Sequence, residues 1–504
     1  MLSLLFTLVL LAACSRSESS GKPLDATAAV LADEMSATAG VVRMAAPGMP
    51  VLDVAPERPQ YTMNITLDYA GNNVHAQEKV EFQNPTGAPT REIKFNVALN
   101  HRAGVIKVSD ARIFGQPASL AFVISNTVLT VQLPGELGRD DAIALSFDFV
   151  IQIPVQESIS GIGGDDSSHS AGSLTGGHWY IMLAPYFSDG WDTPSYVPVG
   201  DPYADGLADY QVSFLAPENI VIAGAGDEEH EGRLWRFTLK QARVFAFSAS
   251  DQYHVNTLNQ DGVTFVTYSY PQHEKFSDDI LITAARAVKL YSRIYGPYPY
   301  KTLRIVETGR AQGQEYSGMV GLGTSLYAGY RGSGSRHDLI ATTAHEVAHE
   351  WWFQQVGNRQ TQTPWLDETF ARLSEMRFYE EYYPNDADWW YKYYITTTRA
   401  PRSMLDIDLS IYDYPDARTY IEAVYRRGLM FLRDVRGKAG ATDFDAAMQD
   451  YYNAELYKVT TSDAFFDALA RHTSADISAL VKKYFAVDVA LPCGISSNAD
   501  GCRK

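Results

Sequence analysis

His345-Glu346-Val347-Ala348-His349 is the stretch from which the fold and chemistry of this chain are inferred, and Glu368 follows after eighteen intervening residues. An α-helix has about 3.6 residues per turn, so residues four apart share one face. The two imidazoles can therefore bind one metal ion. A catalytic zinc takes three protein ligands and keeps a further position for water. His345, His349 and Glu368 are the predicted ligands of one Zn²⁺ per chain.

Glu346 lies between the two histidines and is predicted to act as a general base rather than as a ligand. It would take the proton of the zinc-activated water. A chance match to this pattern is expected in roughly one or two chains per hundred of this length and histidine content. The surroundings favour a helical setting, because Ser335 and Asp338 form a helix start signal ahead of the motif. Thr363-Pro364 then predicts the start of a second helix that carries Glu368.

Four stretches around the motif resemble the aminopeptidase N family of gluzincin metallopeptidases, which includes leukotriene hydrolase. They are HEVAHEWW at 345–352, WLDETFA at 365–371, GQEYSGMV at 313–320 and VYRRG at 424–428. They are similar to the family patterns H-E-x-A-H-x-W, W-L-N-E-G-F-A, G-x-M-E-N and V-Y-x-K-G, in that order. The resemblance covers roughly residues 60 to 480. It implies a zinc-dependent peptidase that removes N-terminal residues from peptides.

The resemblance also implies roles that the residues alone do not identify. Tyr425 corresponds to the family's catalytic tyrosine, which donates a hydrogen bond to the oxyanion of the tetrahedral intermediate. Glu315 corresponds to the glutamate that binds the free α-ammonium of the substrate and so fixes cleavage one residue in. Gly313, Gln314 and Tyr316 are the other predicted substrate-binding residues of this stretch.

Several positions depart from the family pattern. Gln314 and Tyr316 stand where the family has Met and Asn, and Asp367 replaces the usual Asn before the third ligand. The family's second ammonium anchor has no clear counterpart in GGHWYIMLAPYFSDGW at 176–191. Glu375, two turns further along the second helix, is either a partner of a ligating histidine or an exposed helix carboxylate.

The N-terminus resembles an export signal. Residues 2–13 form an apolar run that is too short to span a membrane and is typical of a signal-peptide core. Leu11-Ala12-Ala13-Cys14 resembles a bacterial lipoprotein signal, in which the cysteine receives lipid; a plain cleaved signal peptide is the alternative. The expected location is the bacterial cell envelope, with a lipid anchor at Cys14, on the outer membrane if the source is Gram-negative.

Composition gives further bounds. The chain has 504 residues, 46% of them hydrophobic, and a formal net charge of −18. It is therefore long enough for several domains, and its acidic balance argues against a nucleic-acid partner, which requires a basic face. There are 3 cysteines. With Cys14 lipidated, Cys493 and Cys502 remain as a candidate disulfide in an oxidising compartment.

The order of patterns predicts a multidomain α+β fold. Residues 1–14 form the predicted signal peptide, and 15–57, rich in small residues and proline, the predicted flexible linker. Residues 58–255 alternate in hydrophobicity between turn signals, which predicts an N-terminal antiparallel domain of the β-sandwich type. Residues 256–504 hold strands around one helix and then helices, which suits a thermolysin-like α/β catalytic domain. No C-terminal helical repeat domain is expected.

Three functional hypotheses follow from these patterns. The leading hypothesis is a zinc aminopeptidase acting on peptides. The second is a zinc oligopeptidase or dipeptidase without strict N-terminal selection, which would also cleave N-acetylated peptides. The third is a zinc-binding scaffold without catalysis, which would need neither Glu346 nor Tyr425.

Overall fold

The computed structural model describes residues 42–45, 49–116, 119–156, 166–170, 172–332, 334–396, 405–487, 489–496 and 502–503. All elements given below lie in one compact unit, Gly40–Lys504. The predicted signal peptide, Cys14 and most of the predicted linker lie outside the described residues, so these remain predictions. Across the described ranges, no helix combines the length and hydropathy needed to cross a membrane.

The N-terminal half consists of β-strands. They are β1 (Val42–Ala45), β2 (Met49–Leu52), β3 (Gln60–Asp68), β4 (Asn73–Gln83), β5 (Thr90–Asn96), β6 (Ile106–Ile113), β7 (Ala121–Ser125), β8 (Val128–Leu137), β9 (Ala142–Gln152), β10 (Ser168–His169), β11 (Leu174–Gly176), β12 (Met182–Leu183), β13 (Tyr186–Phe187), β14 (Gly190–Trp191), β15 (Ala208–Leu215), β16 (Val221–Gly224), β17 (Asp227–Glu231), β18 (Leu234–Ala242) and β19 (Phe247–Ser250).

These strands form the predicted sandwich-like domain. The large sheet has the order β1-β2-β9-β4-β3-β15-β18-β17, with β6 also on β9, and a smaller sheet has the order β12-β5-β8-β7. A third sheet, β10-β11-β19-β16, continues the domain. Side chains alternate between the two faces of a strand, and β8 alternates buried with more exposed residues accordingly. Phe95 of the smaller sheet meets Phe147 of the large sheet in the shared core, with ring centroids 5.0 Å apart.

The structure departs from the predicted organisation at two places in this domain. β1 and β2 lie inside the predicted linker 15–57, where they pair antiparallel, and Leu52 also pairs with Ala142 of β9. Met49 is buried in the core, so this part of the segment is strand rather than linker. In addition, β15 pairs with β3 in parallel, whereas the expected sandwich was antiparallel.

The C-terminal half begins with a mixed sheet that carries one wall of the candidate site. Its strands are β20 (His254–Gln260), β21 (Val263–Ser269), β22 (Thr302–Thr308), β23 (Gly313–Tyr316) and β24 (Met319–Gly323), in the order β20-β21-β22-β24-β23. The central strands β21, β22 and β24 are parallel. β23 is the edge strand and pairs antiparallel with β24, which leaves one edge of β23 open to the cavity.

Helices make up the remainder. They are α1 (Ser277–Ile294), α2 (Asp338–Ala348), α3 (Trp365–Tyr382), α4 (Ala387–Tyr391), α5 (Ala417–Tyr420), α6 (Gly428–Ala439), α7 (Ala441–Glu455), α8 (Ser462–His472) and α9 (Ser478–Tyr484). Two π-helices, Lys392–Thr396 and Ile421–Arg427, adjoin α4 and connect α5 to α6. Short 3-10 helices occur at Ala98–His101, Glu274–Phe276, Thr324–Tyr327, Ile411–Asp413 and Cys493–Ile495.

The local signals around the two ligand-bearing helices are partly as expected. The first helix begins at Asp338, and the His337 side chain, rather than Ser335, accepts the hydrogen bond from Leu339 N. α3 begins directly after Pro364, as the sequence predicts. Near the C-terminus, Cys493 and Cys502 form a disulfide with a Cα–Cα distance of 4.8 Å.

Candidate active site

Two packed helices bring the predicted metal ligands together. His345 and His349 lie one turn apart on α2 and its end, and Glu368 lies in the first turn of α3. The side chains of all three are buried. Because α2 packs against α3 and against strands β23 and β24, the ligands sit between a helical layer and the edge of the mixed sheet.

The ligand atoms are spaced as a tetrahedral zinc requires. His345 Nε2 lies 3.2 Å from Glu368 Oε2 and 3.4 Å from His349 Nε2. His349 Nε2 lies 3.5 Å from Glu368 Oε2. Zinc–ligand bonds of about 2.0–2.1 Å in tetrahedral geometry place neighbouring ligand atoms about 3.3–3.4 Å apart. The three residues therefore fit one zinc ion without rearrangement.

Carboxylates lie next to Nδ1 of both imidazoles, on the side away from the metal-binding Nε2 atoms. Asp367 Oδ1 lies 2.6 Å from His349 Nδ1, so it favours the tautomer that leaves Nε2 free for a metal. Glu375 Oε2 lies 3.3 Å from His345 Nδ1, an ion-pair distance rather than an aligned hydrogen bond. Glu375 is completely buried and accepts a hydrogen bond of 2.6 Å from Trp390 Nε1. Of the alternatives left open for Glu375, the structure supports the partner of a ligating histidine.

The Glu346 carboxylate lies against the backbone of β23. A methyl group placed on Gly313 would lie 2.0 Å from Glu346 Oε1, so only glycine leaves room for the carboxylate there. Burial raises the pKa of Glu346 to about 7, and the His345 imidazole opposes that rise. A bound metal cation would oppose it further, because a positive charge favours the ionised carboxylate. Glu346 is therefore fixed beside the ligands in a position suited to a base.

The Tyr425 side chain, which is carried by the π-helix Ile421–Arg427, also reaches the ligand set. Its hydroxyl donates a hydrogen bond to Glu368 Oε1, and its ring centroid lies 5.7 Å from that of His345. A π-helical turn adds a residue to the helical repeat and is frequently found at functional sites. The structure thus brings the tyrosine that the family resemblance implied next to the ligand set.

A pair of acidic side chains forms one end of the site. Gln314 Nε2 donates to Glu315 Oε2 at 2.9 Å and to Asp201 Oδ1 at 3.4 Å. Burial raises the pKa of Asp201 to about 7, with the charge of Glu368 adding to the rise. Burial also raises the pKa of Glu315 well above its ordinary value, and Asp201 raises it further. Because the pKa values of both carboxyls are raised, the two acids are not easily ionised at the same time. A cationic ligand would stabilise both negative charges, so the pair favours such a ligand.

Sequence reasoning missed Asp201, which comes from the loop between β14 and β15 of the β domain. The structure also does not bring Tyr316 to the cavity. The Tyr316 hydroxyl instead donates to Asp166 O at 3.2 Å in the core. The family resemblance implies a second ammonium anchor somewhere in the N-terminal domain, but no local sequence pattern identifies Asp201 as that residue. Its position at the site depends on how the β domain packs.

A buried charge cluster holds the loop that carries Asp201. His178, within the aromatic stretch 176–191, lies with Nδ1 2.6 Å from Asp166 Oδ2 and Nε2 2.9 Å from Asp205 Oδ1. Although burial opposes it, these two carboxylates raise the pKa of His178 to about 10, so the imidazole is charged at neutral pH. Tyr203 stacks on the imidazole with centroids 3.8 Å apart. Asp205 and Tyr203 thereby fix the loop a few residues beyond Asp201.

The metal ligands, Glu346, Tyr425 and the acidic pair face one open cavity of about 510 Å³, a size typical of small-ligand sites. The cavity is lined at its centre by the ligands and Glu346, and elsewhere mainly by polar and charged residues: Asp201, Arg310, Gln312, Gln314, Glu315, Ser325, Asp338, Thr342, Arg372, Tyr393, Tyr394, Tyr425 and Arg426.

Comparison with known proteins agrees with this geometry. Residues 283–484 match the model of the Peptidase family M1 domain. Aminopeptidase N of Lactobacillus helveticus is 25% identical over 259 residues, covering 48% of this chain and 30% of that protein. Endoplasmic reticulum aminopeptidase 1 of Homo sapiens is 23% identical over 265 residues, covering 50% and 28%. The chain therefore spans about a third or less of the length of these curated relatives.

Solved structures share the fold over most of this chain. A mutant M1 zinc metallopeptidase of Deinococcus radiodurans, bound to a Tyr-Ser-Ala substrate, superposes with a TM-score of 0.60 at 17% identity. The match covers 88% of this chain and 98% of that one. A two-domain M1 zinc metallopeptidase bound to L-tryptophan gives a TM-score of 0.59 at 16% identity, covering 88% and 97%. The chain thus has the fold of these metallopeptidases over most of its length, and residues 283–484 of its C-terminal half match the Peptidase family M1 domain.

Proposed function

We propose that this chain is a zinc-dependent aminopeptidase that hydrolyses the N-terminal residue from peptides. The observation that carries the proposal is the tetrahedral spacing of His345, His349 and Glu368, directly beside a buried acidic pair. The M1 domain match and the names of the relatives support the same activity.

Each side chain of the site has a task in this reaction. When bound, zinc supplies a Lewis acid that polarises the scissile carbonyl and lowers the pKa of water. Glu346 takes the proton of the attacking water and can return it to the leaving amine. The Tyr425 hydroxyl, which Glu368 holds at the edge of the ligand set, donates to the oxyanion as charge develops there. Glu315 and Asp201 bind the α-ammonium of the substrate.

The acidic end of the cavity favours an aminopeptidase over an oligopeptidase. A free α-ammonium carries one positive charge, whereas an acetylated or internal amide carries none. Placing an uncharged amide beside Glu315 and Asp201 leaves buried carboxylates without a cation, which is unfavourable in a partly dehydrated site. Selection for a free α-ammonium at this end of the cavity therefore places the first peptide bond of the substrate at the ligand set, where it is cleaved.

Replacing Glu346 with glutamine tests the chemistry of the proposal. Glu346→Gln keeps the size of the side chain and removes the base, so zinc content should be unchanged while kcat falls by about 10²- to 10⁴-fold. Glu350→Gln is the matched control, because Glu350 is also a buried glutamate one turn away, and its Oε1 accepts from Gly318 N at 2.8 Å. If both variants retain most of the wild-type kcat, the base lies elsewhere.

We also propose that the protein is exported and anchored to a membrane by lipid on Cys14. The Leu11-Ala12-Ala13-Cys14 pattern supports this location, and so does the Cys493–Cys502 disulfide, since such bonds persist in oxidising compartments. In detergent phase separation, the wild type should partition with detergent and Cys14→Ser should stay in the aqueous phase. Equal partitioning of the two would contradict the lipid anchor.

A further inference from the structure

Charge is distributed unevenly around the metal ligands. The carboxylates of Glu315 and Asp201 lie on the His349 side, where a Glu315 oxygen and a His349 nitrogen are within 4.8 Å of each other. On the His345 side, Nδ1 of that imidazole lies 3.3 Å from Glu375, and the same Glu375 oxygen accepts a hydrogen bond from Arg372 Nη1. The ligand set therefore separates an acidic end of the cavity from an end that contains an arginine.

Arg372 is held rigidly at that end. It lies one turn after Glu368 on α3, so both side chains share a face of the helix. Its guanidinium carbon lies 5.3 Å from the ring centroid of Tyr425 and 5.5 Å from that of Tyr394. Packing against two aromatic rings restricts the guanidinium and lowers the entropy lost when it binds an anion.

The guanidinium keeps hydrogen-bonding capacity towards the cavity. An arginine has five N–H donors, of which Glu375 uses one at Nη1. Nε is buried and, within the ranges the structure describes, has no hydrogen-bond partner, so a ligand in the cavity would be bound through the remaining hydrogens of Nη1 and Nη2. The Arg372 side chain is 15% exposed, and it lines the cavity. Arg372 is thus a cation in the substrate cavity with donors left for a ligand.

Two further charged residues line the cavity near Arg372, and both have partners. Arg426, the residue after Tyr425, also lines this end of the cavity, although its Nη1 pairs with Glu422. Asp338 lines it as well, but its carboxylate accepts a hydrogen bond of 2.5 Å from the Tyr394 hydroxyl.

A third arginine, Arg310, belongs to the acidic end of the cavity rather than to the Arg372 end. Its charge interacts with Tyr316, Asp166, Tyr203 and Asp201.

We infer that Arg372 binds the C-terminal carboxylate of the substrate, so that the substrates are short peptides with both termini free. The inference rests on the proposed aminopeptidase function. A peptide whose α-ammonium lies at Glu315 and Asp201 crosses the ligand set with its first carbonyl, and its remaining residues then extend towards Arg372. Arginine pairs with carboxylates through charge-assisted hydrogen bonds, which are about twice as strong as neutral ones.

The test compares peptides that differ only in their C-terminal charge. Wild-type enzyme with its zinc is assayed on Ala-Ala and Ala-Ala-Ala and on their C-terminal amides, and the ratio of kcat/KM for acid over amide is recorded. A charge-assisted contact predicts a ratio of roughly 10 to 100. The ratio should fall to near one in Arg372→Met and to an intermediate value in Arg372→Lys, which keeps the charge but loses the planar fork.

The acid-to-amide ratio of kcat/KM is insensitive to general damage to the site, because such damage lowers both values alike. Arg372 also contacts Glu375 behind His345, so its substitution can lower zinc occupancy, but that loss affects acid and amide equally. Arg433→Met is the matched control, because Arg433 lies 3.8 Å over the Tyr391 ring and is not among the residues that line the cavity. Its acid-to-amide ratio should equal that of the wild type.

Four results would overturn the inference. A wild-type ratio near one overturns it even if no Arg372 variant folds, and so does an Arg372→Met protein that keeps the wild-type ratio. If Ala-Glu amide is cleaved as fast as Ala-Ala, the arginine binds an acidic side chain rather than the C-terminus. If neither acids nor amides are cleaved, the proposed function itself fails, whereas cleavage of both without preference leaves that function standing.

Discussion

Replacing Gly313 with alanine tests whether the position of the Glu346 carboxylate controls catalysis. The added methyl would lie 2.0 Å from Glu346 Oε1 and 2.4 Å from its Cδ, whereas ordinary contact begins at 3.4 Å. The carboxylate must therefore move by about 1.4 Å, the difference between 3.4 and 2.0 Å. Misplacement of a catalytic group by about 1 Å can cost roughly 10²-fold in rate.

The loss should fall on catalysis and spare the fold. The displaced atoms are the far end of a flexible side chain, and the backbone of Gly313 is outside the left-handed region, so its backbone conformation accepts alanine once the carboxylate has moved. The three atoms nearest to the added methyl all belong to Glu346 rather than to a metal ligand. We therefore expect Gly313→Ala to lower kcat by about 10²-fold with little change in zinc content or melting temperature.

The assay is steady-state kinetics on a free-amine aminoacyl-coumarin substrate, combined with metal analysis. Gly321→Ala is the matched control, because Gly321 pairs with Gln314 across β24 and β23, and the nearest atom to an added methyl lies 3.6 Å away. The control should retain wild-type kcat. A Gly313→Ala enzyme whose kcat stays within about threefold of the wild type would refute the reasoning.

Three further predictions concern the ligand set, the oxyanion donor and the buried histidine. Metal analysis should show that His349→Ala binds far less than one zinc per chain, and full occupancy would exclude it as a ligand. Tyr425→Phe should lower kcat by about 10²- to 10³-fold, and a change confined to KM would contradict its role. The raised pKa of His178, about 10 against an ordinary 6.5, stabilises the fold fully below pH 6.5, and this contribution is lost as pH rises towards 10. Urea unfolding should therefore show wild type and His178→Gln converging between pH 6.5 and 10, and a constant difference would refute the charge cluster.

The sequence predicts the centre of the site well, because helical spacing alone determines which side chains share a face. His345 and His349 meet for that reason, and Glu368 follows from the start signal at Pro364. Tyr425 is different: it lies on a π-helix, whose repeat no sequence pattern here revealed, and only the resemblance to a family identified it.

Features that depend on tertiary packing were not predictable. Asp201 reaches the cavity because the loop after β14 is held by His178, and no local pattern connects these residues to β23. Tyr316 was expected at the site because it follows Glu315, yet its hydroxyl bonds to Asp166 O in the core. Likewise β1 and β2 lack a clear alternating pattern; they pair with each other, and β2 joins the large sheet through Leu52 and Ala142 of β9.

The relative rate on free and acetylated peptides is the most direct test of the proposed function. Zinc-loaded wild-type enzyme is given one peptide with a free α-ammonium and the same peptide N-acetylated, and the products are identified by mass spectrometry. Because Glu315 and Asp201 require a cation, the free peptide should lose its first residue at least about 10²-fold faster than the acetylated one. Equal cleavage of both peptides at internal bonds would contradict the aminopeptidase and favour an oligopeptidase with the same zinc site.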